Sequence, residues 1–83
     1  MTLIFNKIRK LLHEEYSFPY DQIQLETDFE KELGTDSREM IELINDFETL
    51  FDIEISLDDI DGFLFSGKPI RVQDVVDYIG KKL

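Results

Sequence analysis

Between Met40 and Phe51 the apolar residues Met40, Ile41, Leu43, Ile44, Phe47, Leu50 and Phe51 recur at three- and four-residue spacing, while Glu39, Glu42, Asp46 and Glu48 occupy much of what remains. A stripe that wide faces more than one neighbour, so it predicts an amphipathic helix over 37–51 inside a bundle. Asp52-Ile53-Glu54-Ile55 alternates apolar and polar, but four residues without a second strand candidate make no sheet. That segment reads as an extended connector.

The other segments fit the same class. Leu3, Ile4, Ile8, Leu11 and Leu12 are spaced for a helix over 3–16, with Thr2 as its candidate N-cap. Pro19 disfavours helix in the residue before it, and the stretch to Gly34 reads as a long surface loop anchored by Ile23, Leu25, Phe29 and Leu33, with Tyr16, Phe18 and Tyr20 packed around the proline. Within this loop, 28–33 predicts a helical turn that Gly34 ends in the left-handed region. Ser56 and Asp59 have the spacing of a capping box, ahead of Ile60, Phe63 and Leu64, which predicts a short helix over 57–65. Ser66-Gly67-Lys68-Pro69 reads as a turn. Val72, Val75, Val76 and Ile79 then give a last short helix, closed by Gly80, with Lys81 and Lys82 at its negative end. The expected fold is all-α: a small irregular four-helix bundle with a long first loop and a short third helix, forming one domain over 1–83.

Charge and composition narrow the function. The 83 residues include nineteen acids, nine bases and one histidine, His13, with no cysteine and a net charge of -10. All nineteen acids lie between Glu14 and Asp77, and between residues 11 and 80 only Lys31, Arg38, Lys68 and Arg71 are basic, leaving that stretch at -15. Such a body repels phosphate backbones and anionic lipid, which excludes nucleic acid and membrane surfaces as expected partners, and it attracts basic proteins. Without cysteine there is no thiolate zinc site and no thiol nucleophile, and one histidine leaves little for acid-base catalysis. No apolar run approaches a membrane span and the start lacks a signal-peptide h-region. A non-catalytic, cytoplasmic monomer is the expectation.

The informative constellation is Leu33-Gly34-Thr35-Asp36-Ser37-Arg38-Glu39-Met40-Ile41-Glu42. Asp36 and Ser37 alone are ordinary helix caps. A serine at a helix mouth, however, sits beside unpaired amides and the positive end of the dipole, where a phosphate diester is favoured. No histidine is near it in sequence, so Ser37 reads as an acceptor modified by another enzyme rather than as a triad nucleophile.

With Phe29 before it, Ile41-Glu42-Leu43 and Phe47-Glu48 after it, and then Phe51-Asp52-Ile53-Glu54-Ile55 and Val75-Val76-Asp77-Tyr78-Ile79, this set resembles the acyl carrier protein family over most of the chain. The resemblance implies a carrier whose Ser37 receives 4′-phosphopantetheine from coenzyme A through a phosphopantetheinyl transferase. The arm's thiol then holds acyl groups as thioesters and supplies the sulfur the chain lacks. Asp36 would position the transferase and its magnesium. Glu39, Glu42 and Glu48 match acidic positions presented to basic partner enzymes that transfer, elongate or modify the acyl group. Ile44, Phe47, Ile55, Ile60 and Phe63 are candidate liners of an acyl-chain pocket between the second and third helices, where each buried methylene contributes about 0.8 kcal/mol; the same residues also serve as ordinary core.

Departures from the family pattern point to a specialised fatty acid or polyketide-type pathway. Arg38, a partner-facing position, and Asn45 stand where many carriers place apolar residues, and the segment from Ser56 to Arg71 is several residues longer than usual. Two rival readings stand beside this one. Asp58-Asp59-Ile60-Asp61-Gly62 resembles a calcium loop, but with Gly62 at position six the first ligand is Leu57 and the twelfth Lys68, so the register fails. An acidic helical adaptor without a prosthetic group is the alternative from another class, and it predicts that Ser37→Ala preserves function.

Overall fold

The computed structural model describes residues 2–83. Four helices follow one another: α1 (Thr2–Tyr16), α2 (Ser37–Phe51), α3 (Leu57–Phe65) and α4 (Val72–Lys82), with a single 3-10 turn at Tyr20–Gln22 and no strand among the described residues. The bundle class is as expected, and α2 and α3 begin and end where the apolar spacing placed them. The expected Thr2 cap falls on a side chain outside the described residues. Along the bundle α1 packs on α4 and α2 on α3.

One core joins the elements. Ile8 and Leu12 from α1, Ile23 and Phe29 from the loop, Met40, Leu43, Phe47 and Phe51 from α2, and Val72, Val75, Val76 and Ile79 from α4 are buried together. These are the positions on one face of each helix, so the spacing that makes the helices also makes the core. Two members of the predicted α2 stripe leave it, since Ile41 and Leu50 are exposed. The α3 helix contributes no fully buried residue, and Ile60, Phe63 and Leu64 are half-buried.

Two helix ends differ from expectation. The α4 helix runs through Gly80 to Lys82, where the Leu83 amide donates to Ile79 O at 3.1 Å, so Gly80 does not close it. Its φ is not positive, and Lys81 and Lys82 extend the helix favourably against the negative end of its dipole. At the end of α2, Asp52 is not extended but left-handed (φ 54), with its amide donating to Glu48 O. The Ile53 amide shares that carbonyl at 3.1 Å, and the extended connector begins after it.

The long loop is tied to the chain ahead of α4 by backbone hydrogen bonds. Phe29 N donates to Ile70 O at 3.0 Å, Val72 N to Thr27 O at 3.0 Å and Gln73 N to Leu25 O at 2.8 Å, around an antiparallel bridge of Asp28 with Arg71. Thr27, Asp28 and Thr35, all buried, satisfy their side chains locally: Thr27 Oγ1 donates to Gln22 O, Asp28 Oδ1 accepts from the amides of Glu30 and Lys31, and Thr35 Oγ1 donates to Phe29 O. Burying these polar groups therefore leaves no unmet partner. At the start of the loop Tyr16 and Phe18 stack in parallel (centroids 6.1 Å apart), while Tyr20 lies outside with Arg9 4.2 Å over its ring.

Candidate functional site

The region around Ser37 is built by two local devices. The first is the turn ahead of it. The amides of Glu32 and Leu33 donate to Asp28 O, and Gly34 follows at φ 70, a conformation that a residue with a Cβ adopts only with strain. Thr35 then folds back, its amide and hydroxyl both donating to Phe29 O at 3.0 and 2.9 Å. The second device is a reciprocal cap. Asp36 Oδ1 accepts from the Glu39 amide at 2.8 Å, and Glu39 Oε1 accepts from the Asp36 amide at 3.3 Å.

Asp36 therefore takes the capping role. Ser37 is the first residue of α2, exposed, and its hydroxyl makes no hydrogen bond among the described residues. Helix geometry leaves the amides of Ser37 and Arg38 without an intrahelical acceptor, so the hydroxyl stands beside free donors at the positive end of the dipole. The one imidazole is elsewhere: His13 on α1 places Nδ1 2.8 Å from Phe18 O.

Beside Ser37 opens a cleft of about 470 Å³. Its apolar lining comes from Phe29, Met40, Phe63, Leu64 and Ile70, and its polar lining includes Glu30, Asp36, Ser37 and Lys68. Of the five residues expected to line an acyl-chain pocket, Phe63 alone lines this cleft. Phe47 is spent in the central core, Ile44 and Ile55 are buried away from the cleft, and Ile60 is half-buried on α3. Met40, three residues after the serine, and Ile70, whose carbonyl accepts from Phe29 N, line the cleft beside it. The cleft opens at the first turn of α2.

The expected partner-facing residues divide in two. Arg38 and Glu42 are exposed, as is Asn45. Glu39 is held in the cap, and Glu48 spends Oε2 on the Ile55 amide at 2.9 Å, fastening the connector to α2. Asp59 does not complete a capping box with Ser56. Its amide donates to Ser56 Oγ at 3.1 Å, but its carboxylate accepts from the Tyr78 hydroxyl at 2.5 Å, tying α3 to α4. Burial first, and then this hydrogen bond and the Asp59 charge, push the Tyr78 hydroxyl up to about 12. No group of three or more His, Cys, Asp or Glu side chains able to hold a metal ion occurs among the described residues.

A model of the phosphopantetheine attachment site matches residues 6–64, from α1 through nearly all of α3. The chain belongs to the acyl carrier protein family. An acyl carrier protein of Trieres chinensis is 40% identical over 75 residues, covering 90% of this chain and 86% of its own length. Another, from Campylobacter lari, is 33% identical over 76 residues, covering 92% and 91%. The prosthetic group of this carrier is 4′-phosphopantetheine, and such carriers are worked on by other enzymes rather than being catalysts themselves. The residues at the mouth of α2 fit that group: an exposed hydroxyl with no competing bond, two free helix amides for a phosphate, and an adjoining cleft with an apolar lining. No helix among the described residues is long and apolar enough to cross a membrane.

Proposed function

We propose that Ser37 is the attachment residue and that the protein holds acyl intermediates as thioesters on the arm for a specialised fatty acid or polyketide-type pathway. The observation that carries the reading is the division of labour at the mouth of α2: Asp36 caps the helix, so the Ser37 hydroxyl is spared. Had Ser37 been the cap, its oxygen would be committed to a backbone amide.

In the attachment reaction the Ser37 oxygen forms a bond to phosphorus as the pyrophosphate linkage of coenzyme A breaks, and the adenosine bisphosphate half departs. The serine proton passes to a base of the transferase, because no imidazole lines the Ser37 cleft. Asp36 keeps the serine at a fixed orientation through its cap and offers carboxylate charge to the transferase's magnesium. Once the arm is loaded, the chain's work is presentation: Arg38 and Glu42 on the open face of α2 meet the partner, and charge steering speeds encounters more than it deepens affinity. The specialised pathway is supported by the exposed Arg38 and Asn45 and by the long 56–71 segment, part of which lines the cleft.

The test is intact mass before and after incubation with coenzyme A, magnesium and a broad-specificity phosphopantetheinyl transferase that modifies a control carrier. One phosphopantetheine adduct, lost in Ser37→Ala, is the expected result. An adduct retained by the folded Ser37→Ala protein, or none on the folded wild type, overturns the assignment. Efficient elongation of the acyl form by ordinary fatty acid synthase enzymes would count against the specialised pathway alone.

A further inference from the structure

The cleft beside Ser37 has a cation in its lining that the family resemblance did not point to. Lys68 belongs to the bend between α3 and α4, within the stretch that is longer than in typical carriers, and it lines the same cleft as Ser37 and Asp36. Its placement is specified by the backbone. Gly67 turns the chain at φ 75, and Ser66 Oγ accepts from the Lys68 amide at 3.2 Å. Two residues on, Ile70 O accepts from Phe29 N, and Phe29 O in turn accepts from both the amide and the hydroxyl of Thr35, two residues before the serine. This relay of hydrogen bonds fixes the Lys68 bend relative to the mouth of α2, although some thirty residues separate them in sequence.

The charge arrangement gives the lysine a use. The other charged residues lining the cleft are Glu30 and Asp36, both anionic, in a molecule of net charge -10. A phosphodiester added at Ser37 brings one more negative charge into that setting, and the helix amides offset it only in part. An ammonium on a flexible stem with three donors can move to meet a phosphate. Arg38 also neighbours the serine in sequence, but it does not line the cleft.

Resting on the assignment of Ser37 as the attachment residue, we infer that Lys68 is a positioning residue that pairs with the phosphodiester carried there and so biases the arm into the cleft. The phosphate is then bracketed by the first-turn amides of α2 on one side and the Lys68 ammonium on the other. The apolar lining of Met40, Phe63, Leu64 and Ile70 is left for the remainder of the arm.

The experiment uses the full chain with lysine side chains carbon-13 labelled, before and after conversion by the transferase, with intact mass read first. The Lys68 Cε and ammonium resonances are followed at constant pH. A phosphate charge brought to the ammonium should shift them on conversion, while those of Lys10 and Lys82 stay unchanged. Half-molar salt should shrink the change. In the converted protein Lys68→Gln should move the phosphorus-31 resonance of the diester, and Lys68→Arg should largely restore it. Lys68 is exposed, so both variants should fold. An adduct at Ser37 with no Lys68 response, or with an equal response at Lys10 and Lys82, overturns the pairing and leaves the Ser37 assignment standing. Absence of an adduct overturns that assignment, and the pairing falls with it.

Discussion

Gly34 and Gly80 both flank predicted helix ends, yet the backbone asks different things of them. Gly34 sits at φ 70 ahead of Thr35-Asp36-Ser37, so a Cβ there meets open space but a strained conformation. Gly34→Ala should destabilise the fold by about 1–2 kcal/mol and misplace the serine. Gly80 is helical, and an added Cβ would lie 3.8 Å from Ile4 Cδ1, an ordinary contact. Gly80→Ala should therefore stabilise by about 0.5–1 kcal/mol, because it removes backbone freedom from the unfolded chain. Urea melts of the two variants check the pair of signs, and a loss of stability in Gly80→Ala would show that the helix is not free to continue as described. At this scale the sequence was legible where chemistry is local. The Leu33-Gly34 turn and the Asp36-Ser37 helix start follow from neighbouring residues. That Gly80 continues its helix depends on the lysines after it, and a glycine near a chain's last apolar residue reads equally well as a stop.

Among the elements α3 is the least embedded. It buries no residue fully, exposes Leu57 and Phe65, and meets α4 through Tyr78, whose ring packs edge-on to Phe63 at 5.3 Å and whose hydroxyl donates to Asp59. Elements with little buried apolar surface open at lower free energy than the rest of the fold. Tyr78→Phe keeps the ring contact and removes the hydrogen bond. It should speed amide exchange in 57–65 several-fold while leaving α1 and the core of α4 protected, and uniform exchange across all four helices would contradict the latch. The sign with pH follows from the raised pKa. Tyrosine titrates near 10 when unfolded and about 12 here, so the hydroxyl's contribution is fully present below pH 10 and is lost as pH rises through about 12. The boundaries of α3 were legible because Ser56 and the Ile60-Phe63-Leu64 spacing are local signals. Its partner was not, because Asp59 looks from sequence like half of a capping box and only the packed structure brings Tyr78, nineteen residues on, to its carboxylate. The cleft was obscured for the same reason: Phe29, Ile70 and Lys68 reach it through long-range backbone hydrogen bonds.

For the molecule as a whole, charge is the term that solvent can tune. Nineteen acids and nine bases occupy a body 31 × 26 × 19 Å across. At about 10 mM salt the screening length is roughly 30 Å, so every acid feels nearly every other; at about 150 mM it is roughly 8 Å and only neighbours interact. The bases do not dilute this evenly. Lys7 and Lys10 lie on α1, Lys81 and Lys82 at the end of α4, and one of the few in the acidic stretch, Lys68, lines the Ser37 cleft. Self-repulsion therefore weighs most on α2, α3 and the loops between them, the same surfaces whose acidity suits transient docking with basic partners. Raising salt from 10 to 150 mM, or adding millimolar magnesium, should raise the melting temperature. If screening recovers about 1 kcal/mol, a domain this size gains about 4–8 °C. Magnesium should act as a diffuse counterion rather than by filling a site, so calcium and magnesium should work equally at matched concentration. A melting temperature indifferent to both salts would mean that the acidic surface costs the fold little. A much larger response to one cation than the other would instead require a specific site.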